Sequence, residues 1–307
     1  MTFDRKTLVI PDKTKFEEHT IVTKGDVVIG DRCLLQFGIK TDGRVFVGEH
    51  VIIDGGIDAT KDIRVDIFTN IGGDVNSGRN VYFGEKCKVK GKLSLRGDLD
   101  VGDSVEIEKG FEAKGWINIR SPIPVVVYIF IYLMQLLKMG HSEEIDRILE
   151  EIEENEGDTI PISETFLFIP NNSIISLQKS KVDFNIHIGK KSSLMGNYDI
   201  NGNVFVDDDS VVHGTLKNTG DMFCGKNVNI HGNINSNGDV RVEEKAKIAG
   251  NVTGNKIFLS KEAIVNGTLS AKNGVSFMSP SEAKVEEKVK RFESDTDIID
   301  EVDNILE

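Results

Sequence analysis

Four consecutive stretches carry one pattern: GNVFVDDDSVVHGTLKNT (202–219), GDMFCGKNVNIHGNINSN (220–237), GDVRVEEKAKIAGNVTG (238–254) and NKIFLSKEAIVNGTLSAK (255–272). The period is 18 residues, with one turn of 17. Apolar side chains recur at offsets 2, 4, 8, 10 and 14; in the last stretch these are Ile257, Leu259, Ala263, Val265 and Leu269. Alternation over a few residues predicts short strands with one buried face. Three such strands per turn, with no helix between them, predict a three-sided coil of parallel strands whose rungs lie about 4.8 Å apart. Gly recurs at offset 12 (Gly214, Gly232, Gly250, Gly267), which predicts a tight corner.

The same frame extends outward. FNIHIGKKSSLMGNYDIN fits it from Phe184, and N-terminal turns begin at Gly25, Gly43, Asp62, Arg79 and Gly97. In one of these the inward offsets are Val45, Val47, Val51, Ile53 and Ile57. A longer duplication overlies the repeat. Thr7-Leu-Val-Ile-Pro11 and Phe166-Leu-Phe-Ile-Pro170 each precede a coil, with 19 residues from Pro11 to Gly30 and 19 from Pro170 to Gly189. Each half is expected to hold an irregular lead-in turn followed by about five regular turns.

Residues 121–163 break the pattern. Ser-Pro-Ile-Pro (121–124) suits a helix start, Val125 to Met139 is almost wholly apolar, and Gly140 suits a stop. At about 1.5 Å per residue this helix is roughly 23 Å long, short of the ~30 Å hydrocarbon core. Ser142 to Asn155 predicts a second helix with an apolar stripe at Ile145, Ile148, Leu149 and Ile152. The predicted organisation is all-β: a parallel β-helix of about 18 residues per turn, in two coil segments separated by an α-helical hairpin. The segments are 1–120 (first coil), 121–163 (hairpin), 164–278 (second coil) and 279–307 (an acidic, flexible tail).

The chain has 307 residues and a formal net charge of -13. Residues 141–164 hold ten carboxylates and one Arg, and residues 279–307 hold ten carboxylates and four basic residues. The rest is close to neutral, so self-association there meets little long-range repulsion. An acidic chain is a poor binder of phosphate backbones, and no nucleic-acid partner is expected. Three cysteines, with no long apolar run near the start, predict a reducing, cytoplasmic setting.

Chemistry is sparse. Cys33, Cys87 and Cys224 fall at inward offsets and read as core residues. His213 and His231 share offset 11 and are expected to stack outward, but a metal site needs a third ligand. The Asp207-Asp208-Asp209 run is expected at a solvated corner. No GxG string precedes a helix, so a nucleotide cradle is not expected. No catalytic, cofactor-binding or metal-ligating residue is assigned, no cofactor is implied, and the protein is not expected to be an enzyme.

Two families of three-sided coils share such repeats. The hexapeptide-repeat acyltransferases present a catalytic His on a loop excursion, which the short corners here lack. The strings G-D-V-x-V at Gly238, A-x-I-x-G at Ala246 to Gly250, and N-G-T-L at Asn266 resemble the bactofilins, polymer-forming cytoskeletal proteins, and their archaeal relatives. That resemblance implies a right-handed β-helix assembling end to end without nucleotide. Two coils and a hairpin depart from the usual single coil. The expected function is a self-associating cytoskeletal scaffold whose partner is itself; the alternative is an acyltransferase or metal-dependent lyase acting as an oligomer. Open ends of a β-helix expose unpaired backbone groups and apolar core. Leu8, Ile10, Val275 and Phe277 are the expected self-association residues. Ile129, Phe130, Leu133 and Leu137, within residues 123–139, are the expected contact with a protein partner or membrane surface.

Overall fold

The computed structural model describes residues 6–120, 163 and 165–278. The chain is a parallel β-solenoid of about 12 turns. Among the described residues there is no helix. The expected organisation of two coils separated by an α-helical hairpin is corrected accordingly: the architecture is all-β, and residues 121–162, where the hairpin was expected, lie outside the described residues.

The chain forms two compact units, residues 17–175 and residues 1–16 with 176–307. Each unit has three parallel sheets, of seven, six and six strands. In the 17–175 unit one sheet stacks Asp26–Ile29, Val45–Val47, Ile63–Val65, Val81–Phe83, Leu99–Val101 and Ile117–Ile119 in register. In the other unit the corresponding sheet stacks Asn185–Ile188, Val204–Val206, Met222–Cys224, Val240–Val242, Ile257–Ser260 and Val275–Met278. Register is fixed because each inward side chain sits on its counterpart one turn away: Val27, Val45, Ile63, Val81 and Leu99 form one fully buried column. A one-residue slip would turn that column to solvent. Burying each such side chain contributes about 1.5–3 kcal/mol.

The corners explain which residues may turn. Along one corner of each unit the positive-φ residues are not glycine: Arg32, His50, Phe68, Lys86, Ser104 and Asn172 in one unit, Lys13, Lys191, Asp209, Asn227 and Lys245 in the other. Their side chains stack along the corner, with Phe68 edge-on to His50 at 4.8 Å and Lys86 over the Phe68 ring at 5.0 Å. The recurrent glycines answer a different need. A Cβ on Gly214 would lie 2.1 Å from the Gly196 carbonyl oxygen, and one on Gly232 would lie 2.3 Å from that of Gly214. They permit close rung contact, not a left-handed turn. A further column is a ladder of Asx side chains: Asn185, Asn203 and Asp221 each accept the N–H one turn later through Oδ1, at 2.8 Å.

The lead-in strands are exchanged. Thr7–Ile10 pairs with Asn185–Ile188, and Phe166–Ile169 pairs with Asp26–Ile29. Each lead-in therefore forms the first rung of the other half's coil. The hydrogen bonds repeat at both places: Gly30 N–H donates to Ile169 O and Gly189 N–H to Ile10 O, each at 2.7 Å.

Candidate functional site

A parallel coil has one end where the chain enters and one where it leaves, and the two ends differ here. At the entry ends the lead-ins are core: Leu8, Ile10, Leu167 and Ile169 are at most 2% exposed. The entry end of the 17–175 unit carries a charged clamp as well. Asp26, itself buried, accepts hydrogen bonds from the Arg44 side chain, from Arg44 N–H at 2.9 Å and from Ser163 N–H at 3.1 Å. Burial alone would raise the Asp26 carboxyl, but these bonds outweigh it and hold it below the usual carboxylate range. The equivalent position in the other unit is Asn185, so the clamp belongs to one unit only.

At the exit ends the rungs are open. The 17–175 unit ends in Glu106–Ile107, Phe111–Ala113 and Ile117–Ile119, with Trp116 85% and Ile119 73% exposed. Leu99, Val101, Ile107, Phe111, Ile117 and Ile119 help to line a cavity of about 350 Å³ at this end. The other unit ends in Ile264–Val265, Leu269–Ala271 and Val275–Met278, with Val275 37% and Phe277 61% exposed. Ile117 and Ile119 fall at offsets 2 and 4 of their turn, as Val275 and Phe277 do. Side chains that every interior rung buries are exposed here, because among the described residues no further turn covers them.

The expected self-association residues therefore separate. Val275 and Phe277 lie on an open rung. Leu8 and Ile10 do not: their strand is paired and buried, so neither offers a contact surface. Ile129, Phe130, Leu133 and Leu137 lie outside the described residues. Phe111, Trp116, Ile117 and Ile119 were missed, although their place in the last turn before the Ser-Pro-Ile-Pro break marks them.

The candidate chemistry is placed as follows. His213 and His231 are exposed and stack at 4.8 Å between ring centroids. Among the described residues no group of three or more His, Cys, Asp or Glu is arranged to hold a metal ion. Asp208 Oδ1 accepts Lys226 N–H at 2.8 Å, and Asp209 is the positive-φ residue of its corner, so that acidic run is used in turning the chain. Burial pushes the thiols of Cys33 and Cys87 up to about 11 and that of Cys224 to about 12, far from a reactive thiolate. Among the described residues no helix is long and apolar enough to cross a membrane. Comparison with protein-family models, with curated proteins and with solved structures finds no match to this chain, so its place rests on the solenoid and its two open ends.

Proposed function

We propose that the protein is a structural, self-associating scaffold of the bactofilin kind, acting in the cytoplasm and joining copies through the exit ends of its solenoid units without nucleotide. The observation that carries this is the exposed apolar rung at equivalent positions of both units, at Ile117 and Ile119 and at Val275 and Phe277. Such a rung presents unpaired N–H and C=O groups beside a cross-section of core, and covering it with a like rung removes both liabilities. Both open ends are exit ends. Two exit ends meeting face to face run their strands in opposite directions, so pairing across the junction is antiparallel. A chain with two such ends binds one copy at each, and two contacts per copy propagate assembly. The neutral body of the chain favours this, while the acidic segments keep the assemblies apart in solution.

Electron microscopy of the purified protein tests the proposal. Linear assemblies are expected, and Val275→Lys with Phe277→Lys should shorten them by burying a charge at the junction. Phe205→Lys, on the lateral face of the same unit, should leave them unchanged. Assemblies lost with the lateral variant and kept with the end variants would refute end-on joining.

A further inference from the structure

The exchange of lead-ins has a consequence for partners that is independent of end-on joining. Residues 1–120 carry the first coil and the second coil's first rung; residues 163–278 carry the second coil and the first coil's first rung. Each half is thus incomplete alone. The bonds at the two sites correspond one for one. Asp12 Oδ1 accepts Lys190 N–H at 2.8 Å, and Asn171 Oδ1 accepts Asp31 N–H at 3.0 Å. Ser192 Oγ donates to Pro11 O at 3.0 Å, and Cys33 Sγ to Pro170 O at 3.1 Å. One site adds Asp26 bonded to Ser163, 137 residues away in sequence.

Only the chain between Arg120 and Ser163 joins the halves covalently. Ile117–Ile119 and Phe166–Ile169 lie at opposite edges of one seven-stranded stack, so this connection returns over six rung spacings, about 29 Å. It has 42 residues to do so. Stretched out, 42 residues reach roughly 140 Å, well beyond that span. Length alone therefore permits closure within one chain and closure with a neighbouring copy.

We propose that the first rung of each coil is a docking site for the lead-in strand of a second copy of this chain, so that two copies trade halves and form a swapped dimer. The surfaces used are the edges of Asp26–Ile29 and Asn185–Ile188, and the strands received are Phe166–Ile169 and Thr7–Ile10.

Deleting residues 122–162 tests this. The connection then reaches about 8 Å at most, too short to close within one chain. The expected product is a folded dimer with no monomer by light scattering; a folded monomer would overturn the proposal. A second experiment keeps the full chain, in case that variant does not fold. Two copies differing in mass and carrying a protease site within 141–160 are produced in one cell, cut, and weighed by native mass spectrometry. Half of one copy bound to half of the other is the expected species, absent when the copies are produced apart and mixed after cutting. Only same-copy pairs, or halves that separate on cutting, would overturn it.

Discussion

The first and last rungs of each unit are built from the same kind of side chain and sit in opposite surroundings. Ile169, on a lead-in strand, is 1% exposed; Ile119, on an exit rung, is 73% exposed. Both belong to the 17–175 unit, and both are inward positions by pattern. A solenoid side chain draws its burial from the turns on either side of it as well as from its own, so losing one neighbour exposes what the pattern marks as core. That difference makes the lead-in a stability element and leaves the side chains of the exit rung exposed.

The comparison is broken or sharpened most strongly by placing the same charge at both rungs. Ile169→Asp buries a carboxylate without a partner and is expected to cost about 4 kcal/mol or more, whereas Ile119→Asp in dilute solution is expected to change stability by less than about 0.5 kcal/mol. Urea denaturation midpoints measure both, and equal losses would remove the distinction between the rungs.

A smaller effect is expected at the clamp. Asp26→Asn keeps an oxygen for the Arg44 N–H but loses the charged bonds, for about 1–2 kcal/mol. Asp26 titrates lower folded than unfolded, so its contribution is complete above about pH 4 and disappears as the pH falls through the folded value. Unfolding measured across the acid range should therefore show wild type and Asp26→Asn converging at low pH; a constant gap would assign the loss to packing.

The smallest effect is expected in the Asx ladder, where Asn203→Ala leaves the Asp221 N–H without its 2.8 Å acceptor in the middle of a stack. About 1 kcal/mol is expected there. Asn251→Ala, one rung from an exit end, frees the Thr268 N–H that Asn251 Oδ1 accepts at 2.9 Å and should cost less, because water reaches it there. Amide hydrogen exchange at Asp221 and Thr268 reads the two cases separately.

Much of this fold was legible in the amino-acid order. Offsets 2, 4, 8, 10 and 14 name the buried columns because alternation and an 18-residue recurrence are both written in the chain. The exchange was not legible. Thr7-Leu-Val-Ile-Pro11 and Phe166-Leu-Phe-Ile-Pro170 have the same apolar pattern, and the bonds that Gly30 and Gly189 make to them are alike, so neither string favours its own coil. For that reason Leu8 and Ile10 were expected as self-association residues, whereas their side chains are buried. The corners were read only in part: glycine at offset 12 marked a tight corner, but the left-handed position is held by residues such as Arg32, His50 and Lys86, which stack along the corner column, while Gly214 and Gly232 serve close rung contact. Of the open ends, Val275 and Phe277 were legible as the close of a repeat. Ile117 and Ile119 were hidden because an apolar insert follows them and blurs where the coil stops.

Sedimentation velocity over a wide range of protein concentration tests the central claim most directly, with wild type beside an Ile119→Lys, Phe277→Lys double variant. Wild type is predicted to form species that grow with concentration, and the double variant, equally folded by circular dichroism, to remain at the smallest species. A wild type that never grows, or a double variant that grows as wild type does, would contradict it.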